Sequence, residues 1–310
     1  VIDIGVILPS VDVQRREGLA LAAAARHAED VGLDSVWHGD HLAVGGDVLD
    51  STIALATAAT ATTRVRVGTS VFVPALRPLA WAAKQVASLM WISGGRLVLG
   101  VGSGGGPGQW AAAGVPYAER GPRTDTALRL LPELLAGAEV ALPDQPGQPP
   151  VRLGPTTAMP PIWVGNASPV AIRRAARLGD GWFPSLIGPG PLAAGVARLH
   201  ELRGPDRPEP AVSIGATGTF GAGNGTGAGA GIETGVDRPS RRDLAEGISR
   251  AYGRPVDEVL DVPLVGAPAA VAEQLARYAE AGAHHVVIGL GGAGWQAQCD
   301  ALAEIRTRLR

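Results

Sequence analysis

The chain is short of cysteine, of lysine and of net charge, and each shortage closes off a class of function. Cys299 is the only cysteine among 310 residues. That excludes an internal disulfide, a thiolate zinc cage and a CxxC redox pair, and it fits a reducing cytoplasm. Lys84 is the only lysine, so a Schiff-base or pyridoxal mechanism has one candidate, placed in a helix-like segment. Any anion held by a side-chain cation is then held by an arginine fork. The 27 basic residues stand against 29 acidic ones, a formal net charge of −2, which leaves no basic surplus for a nucleic-acid backbone or an anionic membrane surface. The longest uncharged stretches, 97–118 and 211–232, are thick with glycine and make poor spanning helices. Nothing basic precedes the apolar run Ile2–Leu8 and no small-residue cleavage site follows it, unlike a secretory signal. The expectation is a soluble, cytoplasmic protein whose partners are small molecules.

What is present is alternation. Apolar β-like runs occur at 4–8, 34–38, 65–73, 96–101, 161–165, 181–184, 212–216 and 285–290. Between them, apolar residues recur at helical spacing, as in Leu21, Ala24, Ala25, Ala28 and Val31, or Leu79, Ala83, Val86, Ala87 and Met90. Pro132 falls inside the helix-like 122–135 and predicts a kink or a late start. Eight strands alternating with helices point to one α/β domain over 1–310, a (β/α)8 TIM barrel, with an open doubly wound sheet as the alternative. The stretch 215–240 is glycine-dominated and reads as a mobile insertion after the seventh strand, either a lid or a solvated loop.

The informative polar residues follow the carboxyl ends of the inferred strands, where barrel enzymes place their sites. Asp40-His41 follows strand two; His41 suits a general acid or base and Asp40 a ligand hydrogen bond. His38 lies close to His41, but the other histidines lie elsewhere, too few for a metal set. Gly102-Ser103-Gly104 follows strand four and permits close backbone approach, without the spacing of a nicotinamide fingerprint. Gly165-Asn166-Ala167-Ser168-Pro169 follows strand five. Ser168 suits a helix N-cap and Pro169 the first helical position, an arrangement fitting either a phosphate site or ordinary capping.

In order and spacing, these segments resemble the luciferase-like monooxygenase superfamily, and within it the bacterial oxidoreductases that use the deazaflavin coenzyme F420. The resemblance runs through Val36-Trp37-His38-Gly39-Asp40-His41, Thr63–Thr69, Ser93–Leu97 into Gly100–Gly104, Pro161–Gly165, Gly179–Trp182, Leu264–Gly266 and Ala281–Ala283. It implies a barrel with the coenzyme across its mouth and a dimer of identical chains. It also implies a non-proline cis peptide at Ser70-Val71 backing the coenzyme ring, with Asp40 bonding the ring or its side chain. Gly102 and Gly104 would line the coenzyme's path, Gly165, Asn166, Ala167 and Ser168 would hold its phosphate, and His41 would assist proton transfer. Sugar-phosphate dehydrogenases of the family carry a glutamate where Gly105 stands here, which argues against that reaction. Trp37, Phe72 and Trp110 are expected around an apolar pocket for a ketone, alcohol, alkene or imine. The rival readings are a flavin mononucleotide (FMN) monooxygenase of the same superfamily and a coenzyme-binding protein without turnover.

Overall fold

The computed structural model describes residues 2–44, 46–221 and 238–310. The first half runs β1 (Asp3–Ile7), α1 (Val11–Glu17), α2 (Leu21–Asp30), β2 (Ser35–His38), α3 (Ser51–Ala61), β3 (Arg66–Thr69), α4 (Leu79–Ile92), β4 (Leu97–Val101), α5 (Pro107–Ala112) and α6 (Arg120–Leu135). The short strands β5 (Val140–Ala141) and β6 (Pro150–Val151) pair with each other alone. Then come β7 (Ile162–Gly165), α7 (Pro169–Leu178), β8 (Gly181–Phe183), α8 (Pro189–Arg203) and β9 (Ala211–Phe220). The chain closes with α9 (Arg241–Tyr252), α10 (Val256–Val259), β10 (Leu264–Gly266), α11 (Pro268–Glu280), β11 (His285–Leu290) and α12 (Trp295–Arg308).

Strands β1, β2, β3, β4, β7, β8, β9 and β11 pair in parallel in that order, and β11 returns to β1, closing an eight-stranded barrel ringed by helices. Outward residues such as Ile4, Val6, Val36, Val67 and Leu99 join the inner faces of the helices in the main core. Inside the barrel a second cluster gathers Trp37, Val98, Trp163, Phe183 and Val287. Register makes room for it: Trp37 lies opposite Gly68, and Trp163 lies between Gly100 and Gly181. A Cβ added at Gly68 would overlap the Trp37 ring. Below this aromatic layer, Trp37 Nε1 donates to Ser35 Oγ (2.8 Å), and Ser35 Oγ and Ser213 Oγ meet the two ring nitrogens of buried His285 at 2.8 and 2.9 Å.

All eight expected strands are present. Pro132 neither delays nor ends its helix, since α6 runs unbroken from Arg120. The expected insertion at 215–240 is corrected at its start, because residues 215–220 continue β9. Both edges of that extension are paired, with β11 through Gly218 and with β10 from Gly218 to Phe220. Its glycines serve contact, not mobility: a Cβ at Gly215 would come 2.9 Å from Ser185 Cβ. The remainder of the expected insertion, 222–237, lies outside the described residues. Helices α1, α5 and α9 escaped the periodicity; α9 nonetheless opens on a capping box, Ser240 with Asp243.

Candidate active site at the barrel mouth

Three strand ends build the mouth. At the end of β3, Ser70 N–H donates to His38 O (2.9 Å), and the Ser70-Val71 peptide is cis, as the resemblance implies. The chain then bulges and rejoins β4: Phe72 N–H donates to Gly100 O (2.7 Å) and Gly102 N–H to Phe72 O (2.9 Å). This turns Val71 over the barrel axis between two glycines. A Cβ at Gly102 would meet Val71 Cγ2 at 2.5 Å, and one at Gly165 would meet Val71 Cγ1 at 2.9 Å. The residue types at 71, 102 and 165 are thus interlocked by contact.

At the end of β2, His41 folds back over Gly39; a Cβ there would lie 2.9 Å from His41 Nε2 and 3.4 Å from Ser70 O. The imidazole therefore stands beside the bulge, exposed to the mouth. His38 is buried, with Nδ1 2.8 Å from Gly39 O, and burial holds its pKa below the ordinary imidazole value. A cavity of about 190 Å³ opens between the ends of β1 and β2, lined by Ile7, Leu8, His38, His41, Leu49 and Ser70 among others.

Asp40 is placed differently from the expectation. Its oxygens accept from Arg77 at 2.6 and 2.8 Å, from Val73 N–H at 2.9 Å and from Ser51 Oγ at 3.2 Å. The carboxylate is 5% exposed, so its bonding capacity is spent inside the protein. Arg77 also stacks on Phe72, 4.6 Å from the ring centroid. The pair thereby ties the far end of the bulge loop to the end of β2. Arg77 was not visible as a site residue, since nothing near it in sequence announces an acid 37 positions away.

The β7 end carries Gly165–Ser168. Asn166 adopts φ +84°, its Oδ1 accepts from Ser168 N–H (2.8 Å), and its carbonyl accepts from Trp182 Nε1–H (2.9 Å). Ser168 Oγ caps α7 by accepting from Ala171 N–H (3.3 Å), and residues 166–168 are exposed. The positive end of α7 therefore faces solvent at the mouth. Gly104 (φ +64°) packs against Trp110, whose buried Nε1–H has no acceptor among the described residues.

The three aromatics expected around the pocket are corrected: Trp37, Phe72 and Trp110 are each at most 1% exposed. Trp37 belongs to the barrel interior, Phe72 lies under Arg77 within the main core, and Trp110 packs with Val73, Ala75 and Leu76. The strand glycines, by yielding their volume, draw Trp37 inward. Among the described residues no group of three or more histidine, cysteine or acidic side chains is arranged to hold a metal, and no helix is long and apolar enough to cross a membrane.

The family model described as luciferase-like monooxygenase matches residues 10–285. The chain belongs to the luciferase-like monooxygenase family. As a member of that family it is similar to the F420-dependent glucose-6-phosphate dehydrogenase of Amycolatopsis mediterranei, 32% identical over 183 residues, 53% of this chain and 52% of that protein. The chain spans about half the length of the curated relatives it matches. In fold it is similar to an F420-dependent secondary alcohol dehydrogenase in complex with an F420-acetone adduct (TM-score 0.78, 17% identity, 100% of this chain and 99% of that one). A Pseudomonas putida type II Baeyer-Villiger monooxygenase in complex with FMN is also similar (TM-score 0.74, 17% identity, 100% and 99%).

Proposed function

We propose that this chain is an oxidoreductase that uses coenzyme F420 to act on a small alcohol, ketone, alkene or imine. The observation that carries the reading is the convergence of His41, the Ser70-Val71 bulge and the two glycines, Gly102 and Gly165, that seat Val71 on one barrel mouth. The names of its family relatives support it. The residues present fit such a coenzyme: Val71, seated between Gly102 and Gly165, offers an apolar back wall, and the exposed residues Asn166, Ala167 and Ser168 at the α7 N-terminus offer a seat for phosphate. When bound, F420 supplies a carbon that accepts or gives one hydride. His41 takes the proton of a substrate hydroxyl, or returns it to a carbonyl, and Asp40 with Arg77 holds the bulge that aligns the reactants.

The test is a fluorescence titration with F420 and, in parallel, with FMN, on the parent and on Ser168→Asp. Micromolar F420 binding, about −8 kcal/mol, weakened by the added carboxylate, supports the reading. Preference for FMN supports the second reading, an FMN monooxygenase, which the fold likeness to the Baeyer-Villiger enzyme favours. Binding of neither overturns both.

The partner in this reading is a second copy of the chain. Helices α3 and α4 pack side by side and expose Ile53 (66%), Trp81 (65%) and Trp91 (70%), with Ile92 beside them. Two large aromatics left in water on α4, with Ile53 exposed on the adjacent α3, mark an interface.

A further inference from the structure

His41 stands between two pinned residues. On one side the Asp40 carboxylate accepts from Val73 N–H and from Arg77. On the other, Leu42 N–H donates to Gln109 Oε1 (3.1 Å), an amide that reaches across from α5. The other end of the same amide is tied to the loop after β4, where Gln109 Nε2–H donates to Gly105 O (3.2 Å). Gln109 is 8% exposed, and its partners admit one orientation of the amide: turned over, it would set donor against donor and carbonyl against carbonyl. Between the pins His41 is exposed, and among the described residues no hydrogen bond reaches its ring, which lies against Gly39. The ring therefore points where its backbone sends it.

Helix α5 can serve as the anchor because it is itself fastened. Trp110, the next residue, is 1% exposed and packs with Val73, Ala75 and Leu76 of the segment that follows the bulge, and Gly104 fits against its indole. One six-residue helix thus joins the ends of β2, β3 and β4. Beyond Leu42 the chain has less support. Residues 42–44 and 46–50 form neither helix nor strand, and the side chains of Leu42 and Val44 stand in water at 56% and 49% exposure. A segment with few buried contacts opens readily, and its motion would pass to His41 if the Leu42 amide were not held. We infer that Gln109 is a positioning residue for His41: by holding Leu42 N–H it fixes the backbone on the far side of the histidine and keeps the ring beside the Ser70-Val71 bulge. Proton transfer needs heavy-atom separations of about 2.6–3.2 Å, and a misplacement of about 1 Å costs on the order of a hundredfold in rate. The inference rests on the oxidoreductase reading in taking His41 as the group that moves the proton.

The experiment uses the full chain without coenzyme, labelled in glycine, histidine and leucine for NMR, with two variants. Gln109→Met keeps the bulk of the side chain and removes both hydrogen bonds; Gln109→Glu keeps an acceptor for Leu42 and removes the donor to Gly105. The readouts are hydrogen exchange at the Leu42 amide and the Overhauser contact between the His41 ring and Gly39 Hα, with the amides of β1 and β11 as the control for the fold. In Gln109→Met, Leu42 exchange should accelerate about fivefold or more and the ring contact should fade, while β1 and β11 keep the parental rates. At pH 7.5 Gln109→Glu should restore both signals, with Leu42 exchange within about threefold of the parent. Unchanged Leu42 exchange or an unchanged ring contact in Gln109→Met overturns the inference. So does an acceleration shared by β1 and β11, which makes Gln109 a support of the whole barrel, and so does a Gln109→Glu protein that behaves like Gln109→Met. F420 titration of the parent separates the two readings. If F420 binds and Leu42 is indifferent to Gln109, only this inference fails; if both signals respond and F420 does not bind, the coenzyme reading fails and Gln109 still sets the direction of the His41 ring.

Discussion

Acidification should attack this barrel from within, through His285. The ring is fully buried and its pKa is pushed down to about 3, first by burial and then by the charge of Arg66. Each ring nitrogen already has a serine hydroxyl as its partner, Ser35 Oγ at Nε2 and Ser213 Oγ at Nδ1, and among the described residues no carboxylate contacts the ring to stabilise an added charge. The unfolded chain, with an ordinary histidine pKa of about 6.5, binds the proton that the folded chain refuses, so stability falls as pH drops below about 6.5 by about 1.4 kcal/mol per unit. The loss reaches about 3 kcal/mol at pH 4 and about 4 kcal/mol at pH 3. Carboxylates whose pKa is lowered in the fold, Glu29 and Asp50 among them, add losses of the same sign. The effect is therefore isolated as a difference from His285→Gln. That variant should be about 2 kcal/mol less stable at pH 7.5, because it disturbs two buried serine bonds. The gap should close as pH falls, vanish near pH 5 and reverse below it. Denaturant unfolding at fixed pH between 4 and 8 reads this directly. A gap constant across the range, or a ring that titrates near its ordinary value in the folded protein by NMR, refutes the reasoning.

Arg77→Ala should strand the buried Asp40 carboxylate, lowering stability by about 3–5 kcal/mol and coenzyme affinity at least tenfold by fluorescence titration; Arg77→Lys should recover only part, lacking the fork. His41→Ala should cut kcat by about 10²–10⁴ while F420 affinity stays within twofold, as measured by titration and steady-state kinetics. Gly68→Ala places a methyl group inside the Trp37 ring contact and should cost about 1–3 kcal/mol by denaturant unfolding. Trp91→Glu should shift the chain toward the monomer in sedimentation, through a charge on the exposed face of α4.

The barrel was legible because parallel strands buried on both faces read as continuous apolar runs, and each of the eight appears where such a run occurs. The turn into α7 was legible for a local reason: Ser168 and Pro169 carry their capping preferences in their own chemistry. Side-chain direction was not legible. Whether Trp37 lines a pocket or fills an interior depends on Gly68 across the ladder, a partner fixed by register rather than by neighbouring residues. The reassignment of Asp40 has the same origin, since its carboxylate is claimed by Arg77 and Val73 from the far side of the bulge. At 215–220 composition misled, because glycines required for close strand and side-chain contact are indistinguishable in sequence from glycines of a loose loop.

The aromatic layer inside the barrel also bears on how such a protein changes over time. Gly68 and Gly100 meet Trp37 and Phe183, whereas Ser70 and Gly102, two residues further along the same strands, belong to the bulge. Two residues of strand separate the levels by about 7 Å. Beneath that plane lie the ring of His285 and its serines; above it lie His41, the cavity and the exposed loop. Replacements at the exposed positions Leu42, Val44 and Val48 can accumulate without letting water reach the lower barrel. Descendants of one ancestor can thus explore new substrates while the element that keeps them folded stays unaltered.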